Sequence, residues 1–325
     1  MILSYQQRLP HVPCWVLFGL LLVLPHSLPA EELPPFDTTQ VWVEMPQVWV
    51  EMPQDRPVID RGPVGAWDHY AVDNPFVLVE DGTYYCFFEA QDKPFNQGGH
   101  ERMGLATSAD GITWKKWPQN PILDIGPPGA WDHVVAKLPT VTKHKDRYYL
   151  FYSGRDGKTK QIGIATSTDL KTWTKHPENP VLQSRPGEWD TLLSTHPSPI
   201  FERGGRYYLL FRGMNQKTRQ QGLNIAVSTD MVHWKRIQNE PVIPTIEETG
   251  SLAVADLGGH YLGLSQAAGR PYWQSTDLLT WKKSGAAEFT GKKVDTVSNP
   301  FVSKGKWTIV YEQQDRIYRA VLQPR

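Results

Sequence analysis

The chain is short of cysteine, of net charge and of long apolar runs. Its 325 residues hold two cysteines. Cys14 lies near the N-terminus and Cys86 lies in Tyr84-Tyr85-Cys86-Phe87-Phe88. Loss of an N-terminal leader leaves Cys86 alone, so no intramolecular disulfide can form, and a lone thiol among aromatics reads as buried core. Lys plus Arg and Asp plus Glu both number 34. The chain has no basic stripe for nucleic acid and no polybasic run for a membrane surface. The apolar run from Trp15 to Leu24 is too short for the roughly 20 residues that span a bilayer. Preceded by Arg8 and followed by Pro25, Ser27 and Ala30, it predicts a signal peptide over residues 1–30. The expected location is secreted or periplasmic, with no membrane attachment after cleavage. Helical periodicity of useful length is missing, and so is any Cys/His metal-ligand spacing.

What the chain has is a repeated cassette. It opens on Gly-x-Trp-Asp at Gly65 to Asp68, Gly129 to Asp132 and Gly187 to Asp190. A Tyr-Tyr strand follows at Tyr84-Tyr85, Tyr148-Tyr149 and Tyr207-Tyr208. Next comes a Gly/Ala strand ending in Ser-x-Asp-x-x-x-Trp, at Ser108 to Trp114, Ser167 to Trp173 and Ser228 to Trp234. Two copies close on Asn120-Pro121 and Asn179-Pro180, the third on Glu240-Pro241. A period of about 60 residues built from short strands and turns predicts propeller blades. The Asp of each Ser-x-Asp turn can bond its own backbone two residues on.

Residues 31–56 read as a linker. They contain an exact tandem duplication, Val41-Trp42-Val43-Glu44-Met45-Pro46-Gln47 and then Val48-Trp49-Val50-Glu51-Met52-Pro53-Gln54. Five units follow over residues 57–325: about 60–123, 124–183, 184–243, a degenerate fourth at 244–288 that keeps Ser275 to Trp281, and a fifth from Asp295. The expected fold is all-β, a five-bladed β-propeller with four-stranded blades and the active site in the central funnel. The fifth unit is one strand short, and the duplicated segment is the natural donor, since an open ring leaves exposed strand edges.

In such a fold the innermost strand of each blade lines the funnel. The polar residues expected there are Asp68, His69, Asp73, Asp132, His133, Lys137, Asp190, His196, Glu247, Glu248, Asp295 and Asn299. Burying so many ionisable groups is costly unless they act. Asp73 does not recur at its cassette position, which marks it as functional. Asp68, Asp132 and Asp190 do recur, which fits either a blade-stabilising bond or a ring of substrate-binding acids. The surplus of Trp and Tyr, Trp67 included, suits a sugar cleft, with Arg212 among the arginines at loop ends. No cofactor is called for; a single ion among His69, His133 and His196 stays open.

These units, with Asp73-Asn74-Pro75-Phe76 and the Asn-Pro closures, resemble the five-bladed glycosidases of glycoside hydrolase families 32, 43 and 117, over about residues 57–321. The resemblance implies Asp73 as base, Glu248 (or Glu247) as general acid, and an Asp at the third-blade position where this chain has His196-Pro197-Ser198-Pro199. With His in that place, Asp190 or Asp132 is left to supply the charge, or His196 to move a proton. The leading expectation is an exported hydrolase that cleaves a polysaccharide or oligosaccharide through paired carboxylates. An Asp at the funnel mouth would stay ionised, and a Glu among aromatics would hold its proton. The alternatives are a propeller phosphorylase resembling family 130, with Lys137 and the arginines as its phosphate site, and a non-catalytic carbohydrate-binding propeller.

Overall fold

The computed structural model describes residues 47–51, 56–195, 198–244, 251–267, 269–290 and 294–324. All belong to the second of the two units into which the chain divides, Met1–Pro35 and Phe36–Arg325. The segment read as a signal peptide lies outside the described residues. Among those described, the only helix is a single 3-10 turn, Phe95–Gln97.

The strands fall into consecutive groups. Strand β1, Gln47–Glu51, comes first and joins the last group. The first group is β2 Ala71–Glu80, β3 Thr83–Gln91, β4 Glu101–Ser108 and the short β5 Lys115–Lys116. The second is β6 Val135–His144, β7 Arg147–Arg155, β8 Lys160–Ser167 and β9 Thr174–Lys175. The third is β10 Leu192–Ser194, β11 Phe201–Arg203, β12 Arg206–Met214, β13 Gln221–Ser228 and β14 Lys235–Arg236. The fourth is β15 Leu252–Asp256, β16 Tyr261–Ser265, β17 Pro271–Ser275 and β18 Lys282–Ala286. The last is β19 Glu288–Thr290, β20 Phe301–Ser303, β21 Lys306–Gln313 and β22 Arg316–Pro324. Pairing within each group is antiparallel, save that β1 runs parallel to β19.

The groups stack through apolar side chains on both faces. Phe87 and Met103 of the first pack with Val141 and Leu150 of the second. Phe151 and Ile164 meet Leu209 and Phe211, and Leu223 and Ile225 meet Leu252 and Val254. Leu262 and Leu264 meet Ile309 and Tyr311. Phe301 and Val310 then return to Val72 and Phe88 of the first group, so the succession of cores closes on itself.

Two repeated devices shape the groups, the first in groups one to three and the second in groups one to four. The indole of the Gly-x-Trp-Asp turn fills a gap left by glycine: a Cβ on Gly154 would stand 2.2 Å from Trp131, and one on Gly213 2.3 Å from Trp189. In the Ser-x-Asp turns, Asp Oδ1 accepts the N–H groups two and three residues on, at Asp110, Asp169, Asp230 and Asp277. That is the turn chemistry expected from the sequence, and the degenerate fourth group keeps it.

β1 comes from the duplicated heptapeptide and pairs antiparallel with β22, with Trp49 opposite Leu322. Trp49 is 1% exposed, its indole N–H donates to the Tyr272 hydroxyl at 3.0 Å, and it stacks on Phe289. Trp49→Ala should cost about 3–5 kcal/mol, as for other large aromatics cut out of a core. Denaturant unfolding of the full chain measures it; a loss under about 1 kcal/mol would show that the β1 edge is dispensable.

Candidate active site

Asp73 on β2 stands directly opposite Glu89 on β3. The register of β2 slips between Asp73 and Phe76, a bulge at Asn74-Pro75 with Asn74 at φ 44°. Such bulges re-aim side chains beside active sites. Like charges opposed across a strand pair repel, so one of the two carboxyls holds a proton. Burial first, then the charge and hydrogen bond of Glu89, push Asp73 well above the usual carboxylate range, with Lys137 pulling the other way. For Glu89, burial also works upward. Lys137 and hydrogen bonds from Asp73, Asn74 and the Leu138 N–H outweigh it and hold Glu89 below its usual value. The shared proton therefore sits on Asp73, and Asp73 donates it to Glu89. Glu89 is 2% exposed, whereas Asp73 keeps part of its surface open.

The second group repeats this bulge. Lys137 occupies the place of Asp73, followed by Leu138-Pro139, and the register slips between Lys137 and Thr140. Leu138 is left-handed at φ 59°, which costs a branched side chain roughly 1–2 kcal/mol. That geometry sends its N–H to Glu89 Oε2 at 3.0 Å. Lys137 Nζ lies 2.9 Å from Glu101 and 3.9 Å from Glu89. Burial works to lower its pKa, but Glu89 and Glu101 overcome that and raise it, so Lys137 is a fixed cation. Glu101 is raised by burial and by Glu89 against Lys137.

Lys137 and Glu101 lead into a cavity of about 420 Å³ that Arg155, Lys160, Arg212, Arg219 and the exposed ring of Phe95 also line. Single parallel pairings between groups, Glu101 with Val135 and Lys160 with Leu192, bring these side chains beside the next inner strand. Burial and then the Lys137 charge depress Lys160 to about 7, with Glu89 and Glu101 opposing and Arg212 adding to the fall. Burial also lowers Arg212, whose guanidinium donates to Gln221. Beyond the Lys137–Glu101 pair, the charged residues that line the cavity are Arg155, Lys160, Arg212 and Arg219 with no second carboxylate among them, so the wall is basic.

Of the residues expected to act, the structure brings Asp73 and Lys137 together, and Arg212 lies on the same cavity. The expectation that Asp73 is an ionised base is corrected: opposite Glu89 it keeps its proton. Asp68, Asp132 and Asp190 do not form a ring of substrate-binding acids. Each is buried and bound to a cation of its own group's short outer strand: Asp68 to Lys116 at 2.5 Å, Asp132 to Lys175 at 2.6 Å, Asp190 to Arg236 at 2.6 Å and also to Arg185 at 2.9 Å. Asp190 is 0% exposed and cannot touch a substrate. Trp67 stacks on Phe88, a wall contact rather than a sugar platform. His133 contacts the Ala130 carbonyl in its own turn at 2.6 Å, and neither it nor the half-buried His69 lines the cavity. Asn299 clamps the first group instead, exchanging hydrogen bonds with the Val77 backbone, and the Asp295 N–H donates to the Glu312 carbonyl. His196, Glu247 and Glu248 lie outside the described residues. Among those described, no three His, Cys, Asp or Glu side chains group as metal ligands.

Glu89, Glu101 and Lys160 were not anticipated. The cassette carries a signal for them. Glu89, Ser153 and Arg212 share one repeated position, and Glu101, Lys160 and Gln221 share another. These are unlike polar residues at like positions, the mark that singled out Asp73.

The profile of glycoside hydrolase family 130, described as beta-1,4-mannooligosaccharide phosphorylase, matches residues 68–248, more than half of the chain. The chain belongs to glycoside hydrolase family 130. Families 32, 43 and 117 are thereby set aside as its own family, and the resemblance weighed as an alternative is the one that holds. An uncharacterized protein of Mycobacterium tuberculosis is 32% identical over 112 residues, 34% of each chain, so the match spans about a third of that relative's length. A family 117 glycoside hydrolase from the marine bacterium Zobellia galactanivorans superposes with a TM-score of 0.67 at 14% identity, over 86% of this chain and 91% of that one. A structure from the GH130 family, whose mannoside phosphorylases include glycoside hydrolases that target beta-1,2 mannosidic linkages in Candida mannan, gives 0.64 at 17% identity over 84% and 93%. At these identities the neighbours speak for the fold alone. The carbohydrate-cleaving family carries the enzyme class.

For this family 130 chain the buried ion pairs are structural. Asp190→Ala leaves Arg185 and Arg236 without their anion and should cost about 3–5 kcal/mol of stability. Thermal unfolding measures the loss, and substrate KM measured below the melting range should not move; a changed KM at intact stability would return Asp190 to the site.

Proposed function

We propose that this chain is an exported five-bladed propeller of four-stranded blades that cleaves a mannosidic bond by phosphorolysis in its central funnel. The observation that carries the reading is the Asp73 carboxyl set opposite Glu89, where burial and Glu89 raise it and favour a held proton, beside a cavity walled by Arg155, Lys160 and Arg212. A phosphorolytic step needs those two things and little else. An oxygen of phosphate attacks the anomeric carbon, the glycosidic C–O bond breaks, and the Asp73 proton passes to the leaving oxygen. The products are a sugar 1-phosphate and the shortened saccharide. Glu89 keeps the donor protonated, and the Phe95 ring offers an apolar face to a sugar. The family description supports a mannooligosaccharide substrate. The pattern of Arg8, Trp15 to Leu24 and Ala30 supports secretion or the periplasm.

Glu101 favours a second reading. Its carboxyl lies in the cavity wall, raised by burial and by Glu89, where it could take a proton from an attacking water and make the reaction hydrolysis.

Incubation of the purified chain with β-1,4-mannooligosaccharides, with and without phosphate, separates the two. Phosphorolysis gives mannose 1-phosphate and stops on dialysis; equal turnover without phosphate establishes hydrolysis. Asp73→Asn should lower kcat by about 10²–10⁴-fold in either case, the usual contribution of a positioned acid, and a smaller loss would remove it from the chemistry. Lys160 is charged below about 7, so KM for phosphate should rise as pH passes upward through that value. Lys160→Met should abolish that rise and hold KM high throughout; a KM flat with pH in the unaltered chain would separate Lys160 from phosphate.

A further inference from the structure

The inner strands of the second and third groups each meet the second strand of the group before them at a matching place. Between the first and second groups that place holds Glu89 and Lys137, 3.9 Å apart. Between the second and third it holds Ser153 and Thr195, equivalents of Glu89 and Lys137 in the cassette, both 0% exposed. The Thr195 N–H donates to Ser153 Oγ at 3.0 Å, and the two hydroxyl oxygens lie 3.2 Å apart. The Thr195 hydroxyl donates to the Leu138 carbonyl, so the Ser153 hydroxyl is left to donate to Thr195. The Leu138 N–H donates to Glu89. One continuous chain of donors therefore runs from Ser153 through Thr195 and the residue Leu138 and ends on the Glu89 carboxylate, to which Asp73 donates from the other side. Leu138 is the link held left-handed, a conformation that persists only where its surroundings impose it.

We propose that Thr195 is a positioning residue for the catalytic acid: its hydroxyl fixes the Leu138 backbone, whose N–H holds the Glu89 carboxylate against Asp73. The proposal rests on the reading of Asp73 as proton donor. A neutral copy of the repeated contact thus serves the charged copy one group away. The other charged groups facing the carboxyl pair are Lys137 on β6 and Glu101 on β4, with Lys160 on β8 beyond them. β21, which also packs on β2, carries Glu312, whose carboxylate accepts the Asp315 N–H. None of these would change when Thr195 loses its hydroxyl.

The test is a pH titration of the side-chain carboxyls by ¹³C NMR on the substrate-free full chain, for the unaltered protein, Thr195→Val and Thr195→Ser. Valine keeps the shape and removes the hydroxyl. With the N–H donor loosened, the anionic pair should bind its proton about tenfold more tightly, and the proton should shift from Asp73 toward Glu89. In turnover, kcat should fall several-fold while the alkaline limb moves to higher pH, a displacement that mere loosening of the fold would not produce. Serine should restore both. Ser153→Ala, which leaves the Thr195 hydroxyl in place but removes both the donor behind it and the acceptor of the Thr195 N–H, should move the titration the same way by less, and it supplies the reading if the valine variant does not fold. A Thr195→Val titration identical to the unaltered chain overturns the relay and leaves Asp73 as acid. An Asp73 that titrates in the ordinary carboxylate range in the unaltered chain overturns the acid assignment itself, and the relay with it.

Discussion

Each group of strands is apolar on both faces, and that constraint governs everything else in the fold. A sheet with a single apolar face can stop at water. One like the Tyr148–Tyr152 strand, with aromatic and aliphatic side chains on either side, needs a neighbour on both. Repeating the need from group to group has one economical solution: the last group must meet the first. Phe301 and Val310 against Val72 and Phe88 satisfy it. The glycines under the Trp-Asp indoles in the first three groups, and the Ser-x-Asp turns in the first four, are the local devices that let the groups pack closely.

Circular stacking also explains where chemistry became affordable. Side chains at the start of successive inner strands converge whether or not they suit one another. Where the cassette repeats, the outcome is uniform and inert: Asp68, Asp132 and Asp190, each with a cation from its own outer strand. Where it diverges, unlike groups are forced together. Asp73 faces Glu89, Lys137 lies between Glu89 and Glu101, and Lys160 is left among other cations. The frustration is local, and the saturated ion pairs and five cores around it hold it in place.

This division sets how much could be read in advance. The repeat, the all-β class and the four Ser-x-Asp turns were legible because identical residues at identical spacing force identical local structure. The inner-strand acids were half legible. Recurrence of Asp68, Asp132 and Asp190 signalled a common role, but that role depends on Lys116, Lys175 and Arg236, whose own recurrence on two-residue strands is easily passed over. Asp73 was found because nothing repeats it. Its protonation was misjudged because ionisation depends on the residue across the ladder, and pairing Asp73 with Glu89 requires knowing where the bulge shifts the register. Glu89, Glu101 and Lys160 carry the same mark of divergence, but on β3, β4 and β8 rather than on the first strand of a group.

The strand beside β22 has a further consequence for how such a chain can change over time. Val48-Trp49-Val50 of β1 belongs to the second of two identical heptapeptides, and the first, Val41 to Gln47, spells the same side chains. Either copy presents a tryptophan of the kind that reaches Tyr272 and Phe289. Loss of seven residues by slippage in the gene would delete a spare and leave the closing strand in place. Slippage in the gene can therefore add or remove residues in steps of one heptapeptide while the Val-Trp-Val that supplies β1 is spelled the same.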